Sequence, residues 1–150
     1  MNYMKMIHFV HTSSTEVTSK FIYKESEEFS EVDKPFIVPS YLILEAMFQT
    51  AGKVAREYSN HQSGGSIVSF GNWHFKRPVF SNETMSIRAQ FLSFHPTKRC
   101  FFIKVSMDSD SENIISSGEV IIMQDQSIEN QYLNNTDLEI KSQILSKMGL

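Results

Sequence analysis

The chain of 150 residues is poor in cysteine, proline and glycine, with one, four and six of each. The single cysteine, Cys100, cannot form an intrachain disulfide, which indicates a reducing compartment. Neither sign of charge predominates strongly, because the chain has 17 acidic and 14 basic residues and a net charge of -3. This balance excludes a strongly basic nucleic-acid binder. No apolar run approaches the roughly 20 residues that span a bilayer, and the first residues do not resemble a signal peptide. We therefore expect a cytoplasmic protein.

What is present is enough for one hydrophobic core, since 41% of the residues are hydrophobic and 12% are aromatic. We expect residues 1–126 to form a single domain, without internal repeats. Residues 127–150 are predicted to be a polar linker and a short C-terminal helix of the same domain, with Asp137 as a candidate cap. Its apolar residues share one face: Ile140, Ile144, Leu145 and Met148. Docking of this helix on its own domain and docking on a partner chain both stay open.

Hydrophobic periodicity predicts strands at both ends of a helix. The chain up to Tyr23 is predicted to form one or two strands, because apolar and polar residues alternate from residue 17 to 23. Residues 41–58 predict a helix, with Ser40 as its N-cap; apolar residues surround its first half, so we expect it to be buried. Five further strands are predicted at residues 66–70, 73–77, 85–94, 100–107 and 114–123. The pattern indicates an α+β fold, in which an antiparallel meander packs one face against the helix.

Glu45 is the only charged residue between Ser40 and Gly52 of the predicted helix. Tyr41, Glu45 and Gln49 are spaced four residues apart and so form one polar stripe. The stripe either faces solvent or a water-filled seam, or it holds a carboxylate in an apolar tunnel for acid–base chemistry.

Other chemical signals are weak. The five histidines have no strong metal-ligand spacing, so no metal site is expected, and signatures of nucleotide binding and of serine hydrolases are absent. Lys76 with Arg77, and Lys98 with Arg99, form small basic pairs. Such pairs are either solvated surface or docking points for an acidic partner or a phosphate.

Two motifs carry a resemblance to a known family. Residues 39–52 read PSYLILEAMFQTAG, and after Phe70-Gly71 residues 75–79 read FKRPV. In this order and at this distance, the motifs resemble the (3R)-hydroxyacyl-acyl-carrier-protein dehydratases of fatty-acid synthesis, over roughly residues 17–123. The resemblance implies a hot-dog fold, a curled antiparallel sheet wrapped around one long central helix.

The resemblance also implies a site. Glu45 would be catalytic together with Gln49, and Lys76 and Arg77 would dock an acyl carrier protein. The implied substrate tunnel comprises Tyr41, Phe48, Phe70, Gly71 and Trp73. No cofactor of its own is implied, because the substrate travels on the phosphopantetheine of the carrier protein. The active site would lie between two subunits, in a homodimer or in a heterodimer with another hot-dog subunit.

The sequence departs from the family at the catalytic histidine, whose position is occupied by Glu31, and at the glycine of the helix start, where it has Ser40. An imidazole suits a base near neutral pH better than an ordinary carboxylate. Glu31 facing Glu45 could still divide acid and base roles between two carboxylates.

Three hypotheses on function follow. The first is a dehydratase-like subunit of fatty-acid, polyketide or polyene synthesis that works with a histidine-bearing partner. The second is an acyl-thioester hydrolase that uses Glu45. The third is a non-catalytic module that binds an acyl chain or a carrier protein.

Overall fold

The computed structural model describes residues 7–24, 36–61, 64–110 and 113–125. Its elements are β1 (Ile7–Thr12), β2 (Glu16–Phe21), α1 (Ser40–Tyr58), β3 (Gly64–Phe75), β4 (Met85–His95), β5 (Cys100–Ser109) and β6 (Ser116–Asp125). Glu31 and the predicted C-terminal linker and helix lie outside the described residues. The stretch up to Tyr23 contains two strands, which is one of the two predicted possibilities.

The six strands form one antiparallel sheet in the order β1-β2-β4-β5-β6-β3. Strands β4 to β6 form a meander, as predicted. The prediction that residues 66–77 belong to the same meander is wrong, because β3 pairs with β6 at the far edge and not with β4. Helix α1 contacts all six strands, so the sheet wraps around it and the core lies between them. The predicted α+β architecture is confirmed. No helix among the described residues is long and apolar enough to cross a membrane.

Helix α1 is amphipathic in the single chain. Its buried residues are Leu42, Ile43, Ala46, Met47, Thr50, Ala51, Val54 and Ala55. Within the described part of the chain the opposite face is open, since Tyr41 is 64% exposed and Glu45 is exposed as well. The expectation of a helix buried on all sides is therefore wrong for one chain, because the sheet covers only one of its faces.

The predicted N-cap is also displaced by one residue. Ser40 is already helical, and Pro39 occupies the cap position without any side-chain cap hydrogen bond. Proline fixes φ near the helical value, so the helix can begin directly after it.

Strand β3 replaces the two strands predicted at residues 66–70 and 73–77. It is continuous over 12 residues and has two irregularities in its pairing with β6. At the second, Asn72 and Trp73 together oppose Gly118 alone, which is a β-bulge. Asn72 has φ 53°, a left-handed conformation that asparagine tolerates better than most residues. The bulge changes the alternation, so Trp73 follows Phe70 onto the side of the sheet that faces α1.

Candidate functional site

The open face of α1 carries the predicted polar stripe. Gln49 Nε2 donates a hydrogen bond to Glu45 Oε1 at 3.0 Å, one helical turn away. Tyr41 lies one turn before Glu45 on the same face. The stripe thus faces outward from the single chain, with its carboxylate oriented by an amide.

An aromatic cluster of Phe48, Phe70 and Trp73 lies beside the stripe. The Phe48 ring centroid is 5.3 Å from that of Phe70 and 5.4 Å from that of Trp73. Phe70 and Trp73 are 6.2 Å apart in an edge-to-face arrangement. Because Phe48 follows Glu45 by three residues, the carboxylate and the cluster are neighbours on the helix surface. Phe70 remains 54% exposed, which leaves apolar surface available beside Phe48.

Gly118 and Ser116 of β6 hold the Trp73 ring in place. Trp73 Nε1 donates a hydrogen bond to Ser116 Oγ at 3.2 Å. A Cβ atom on Gly118 would overlap the indole ring, so only glycine leaves room for it. Neither residue was predicted from the sequence, although a lone glycine inside a predicted strand often marks a close approach of another group.

The site lies at an open edge of the sheet. Among the described strands, β3 has β6 as its single neighbour, and its 12 residues include no Asp, Glu, Lys or Arg. Edge strands of monomeric proteins commonly carry charges or prolines that prevent pairing with another chain. An uncharged edge of this length is suited to pairing with a further strand.

The predicted docking pair has a different environment at each residue. Lys76 is exposed, whereas Arg77 makes a two-pronged ion pair with Glu83, at 3.0 and 2.6 Å. The hydrogen bond from Arg77 holds the pKa of the Glu83 carboxyl below its usual value. This ion pair therefore links the two ends of the connection between β3 and β4. A role of Lys76 and Arg77 in carrier-protein docking stays a prediction.

This connection also positions the start of α1. The Val38 N–H donates to the Val79 carbonyl at 2.8 Å, and Ser81 N–H donates to the Phe36 carbonyl at 2.9 Å. The FKRPV motif thus has a structural role, because it fixes the segment that leads into the helix carrying Glu45.

The structure brings together part of the predicted tunnel. Phe48, Phe70 and Trp73 form one cluster, and Tyr41 lies on the helix about two turns before Phe48. Gly71 pairs with Glu119 on the opposite face of the sheet, so it does not share the surface of the cluster. The role of Glu31 opposite Glu45 stays a prediction. Among the described residues, no group of three or more potential ligands could hold a metal ion.

Comparisons with known proteins connect the chain to others through its structure. No protein-family model and no curated protein sequence matches it. AziG from S. sahachiroi superposes with a TM-score of 0.65 at 11% identity, over 83% of this chain and 96% of AziG.

Two further solved structures match in the same way. Zebrafish thioesterase superfamily member 2 has a TM-score of 0.63 at 12% identity, over 81% of this chain and 83% of that protein. The protein smu.793 from Streptococcus mutans UA159, solved with bound acetyl CoA, has a TM-score of 0.63 at 8% identity, over 79% of this chain and 88% of that protein. Identities this low establish the fold alone. The chain has the hot-dog fold, with its six-stranded antiparallel sheet wrapped around one central helix, as the sequence resemblance implied.

Proposed function

We propose that the protein is an acyl-thioester hydrolase and that Glu45 is its catalytic carboxylate. The observation that carries this proposal is the position of Glu45 on the open face of α1, held by Gln49 and adjacent to the cluster of Phe48, Phe70 and Trp73. A thioester needs such a combination, an apolar surface for its acyl group and a base for water. The names of the zebrafish thioesterase and of the acetyl-CoA-bound protein support the same class of substrate.

The chemistry requires one carboxylate and one water molecule. Glu45 accepts a proton from the water while the water oxygen attacks the carbonyl carbon of the thioester. The resulting tetrahedral oxyanion collapses, the C–S bond breaks, and the thiolate takes up the proton. The products are a carboxylic acid and a free thiol. The first N–H groups of a helix lack intrahelical partners and carry partial positive charge, so the start of α1 is suited to polarise a carbonyl.

A second copy of the chain completes the site in this proposal. Pairing of two β3 edges would continue the sheet and cover the open side of Glu45 and the aromatic cluster. The uncharged edge and the exposed Phe70 support a homodimer built in this way. Enclosure excludes bulk water and strengthens electrostatic interactions with the reacting groups.

Dehydration of a 3-hydroxyacyl carrier protein is the second candidate, favoured by the motifs at residues 39–52 and 75–79. That reaction needs a base in addition to Glu45. His74, which follows Trp73 of the aromatic cluster, pairs with Ser117, whereas its neighbour Phe75 pairs with the buried Ser116. His74 therefore lies on the sheet face turned away from α1. A dehydratase would thus rely on Glu31 or on a histidine from another hot-dog subunit, with Lys76 at the carrier-protein surface.

A product assay on 3-hydroxyacyl thioesters of CoA and of acyl carrier protein separates these functions. We expect release of one free thiol per acid formed, measured with a thiol reagent. Formation of an enoyl thioester, seen by its absorbance and mass, would instead identify a dehydratase. Tight acyl binding without either product, with or without partner subunits, would identify the non-catalytic binding module and contradict the proposal.

A further inference from the structure

The sheet face turned away from α1, here called the outer face, is polar over most of its central strands. Outward-facing residues alternate with the buried ones along each strand. In β4, β5 and β6 they include Ser86, Arg88, Gln90, Lys104, Ser106, Asp108, Ser117 and Glu119. A polar outer face of this kind needs no partner.

One end of the outer face is different. Leu92, Phe102, Ile121 and Met123 form an apolar patch, here called the outer-face patch. Leu92 is 52% exposed, Phe102 37% and Met123 41%. Phe102 pairs directly with Ile121, and Leu92, Phe102 and Ile121 line one cavity of about 200 Å³. Solvent-exposed apolar surface that is concentrated in one place commonly marks a surface that another segment covers.

The chain itself leaves the sheet at this end. Strand β6 ends at Asp125, two residues after Met123 and four after Ile121. Residues 126–150 follow, and their sequence carries Ile140, Ile144, Leu145 and Met148 at spacings that share one face of a helix. The outer-face patch and this predicted apolar stripe are therefore separated only by the predicted linker of the same chain.

We propose that residues 137–150 of the chain itself pack their apolar stripe on the outer-face patch. The linker of residues 126–136 is long enough, because 11 extended residues span up to about 36–40 Å. The distance across the patch from β6 to β4 is two strand spacings, or about 10 Å. A helix of 14 residues is about 21 Å long, which is sufficient to cross both spacings. The other outward-facing residues given above for β4, β5 and β6 are polar. The outer-face patch is therefore the apolar surface that the central strands offer to such a helix.

Disulfide trapping in the full chain tests this packing. In a Cys100→Ala background, the pair Phe102→Cys with Leu145→Cys is oxidised and compared with the matched pair Arg88→Cys with Leu145→Cys. Arg88 lies on the same face of the sheet but among its polar rows. We expect an intrachain disulfide for the 102–145 pair, independent of protein concentration and at least several-fold more abundant than for the control, since a disulfide needs Cα atoms within about 7 Å.

The other outcomes overturn the proposal. An interchain 102–145 disulfide that increases with concentration would assign the patch to a second copy. Equal yields for the two pairs, or no disulfide from either, would show that residues 137–150 do not lie on the patch.

A thiol-accessibility measurement gives an independent test that needs no second cysteine. In the Cys100→Ala, Phe102→Cys variant, addition of Ile144→Asp and Leu145→Asp should raise the rate of maleimide labelling at least tenfold. The control pair Ser142→Asp and Ser146→Asp, on the opposite side of a helix, should leave the rate unchanged. Far-ultraviolet circular dichroism confirms that each variant keeps its sheet. Equal labelling rates in all three proteins would contradict the proposal.

Discussion

Gly118 is the residue on which the position of the aromatic cluster depends. The Trp73 ring occupies the space where a side chain at residue 118 would stand. We expect Gly118→Ala to displace the indole, to lower stability by about 1–3 kcal/mol through overpacking, and to reduce kcat/KM for acyl thioesters. Because Trp73 is the single tryptophan, its fluorescence reports the displacement directly.

Gly52 provides the control for this substitution. A Cβ atom there meets nothing within 4 Å, so Gly52→Ala should stabilise the helix by about 0.5–1 kcal/mol. An unchanged emission maximum in Gly118→Ala, with stability equal to that of the wild type, would contradict the assigned packing.

Ser19 and Thr50 form a buried polar pair that joins β2 to α1. Thr50 Oγ1 donates to the Ala46 carbonyl at 2.8 Å, so in the contact of 2.8 Å between the two hydroxyls Ser19 is the donor. We expect Thr50→Val to cost about 1–3 kcal/mol of unfolding free energy, because it leaves the buried Ser19 hydroxyl without its acceptor.

Ser19→Ala should cost less, since Thr50 keeps its bond to Ala46. The double variant should be more stable than Thr50→Val alone, and urea denaturation of the four proteins measures this difference. Strictly additive effects would contradict the assigned coupling.

At the residue scale, the sequence indicated which residues belong to the candidate site, but it did not show how all of them are positioned relative to one another. Glu45 and Gln49 could be placed on one stripe because helical spacing is regular. Trp73 could be assigned to the site only through the family resemblance, since simple alternation from Phe70 would put it on the opposite face of the strand. The bulge at Asn72 and the space above Gly118 depend on pairing with β6, a strand more than 40 residues later.

The β3–β4 connection is the element whose stability should depend most clearly on pH. Its Arg77–Glu83 ion pair lowers the pKa of Glu83, so the pair stabilises the fold above the pKa of the unfolded glutamate. That contribution is lost as the pH falls through the lower folded pKa. The stability difference between wild type and Glu83→Gln should therefore be largest near neutral pH and should shrink as the pH falls from about 5 towards 3.

Thermal denaturation of the two proteins over this pH range measures the effect. Glu57→Gln, which removes a surface partner of Lys53, serves as the control. A difference between wild type and Glu83→Gln that grows on acidification would contradict the assignment.

At the scale of elements, regular periodicity was sufficient for α1 and for the central strands β4, β5 and β6, whose bounds agree with the predicted ones within two residues. It failed for β3, because the two bulges interrupt the alternation and imitate a break between two strands. It also overestimated the burial of α1, since sequence alone does not tell whether apolar residues such as Leu44 and Phe48 face the sheet or another chain.

At the scale of the whole molecule, the open β3 edge leads to the expected homodimer. Val68 lies at the first bulge of β3 and is 51% exposed. Val68→Lys places a charge on this edge, and charged edge residues oppose strand pairing. We expect the variant to become monomeric and to lose at least tenfold in activity while it keeps its circular dichroism spectrum.

Val10→Lys is the matched control, because Val10 is 59% exposed on β1 at the opposite edge of the sheet. Light scattering coupled to size-exclusion chromatography should show a dimer for the wild type and for Val10→Lys. A monomeric and fully active wild type would contradict the assembly.

The sequence suggested such a dimer through resemblance alone, because periodicity does not reveal which edge of a sheet stays open.

The most direct measurement of the central claim compares Glu45→Gln with Glu57→Gln in acyl-thioester hydrolysis. The two glutamates lie on the same helix, and Glu57 is about three turns after Glu45, within 3.3 Å of Lys53 and 3.5 Å of His61. If Glu45 activates water, kcat in Glu45→Gln falls by about 10²–10⁴-fold, the usual contribution of general acid–base catalysis, while Glu57→Gln stays near the wild type. Hydrolysis by Glu45→Gln at the wild-type rate would contradict the account.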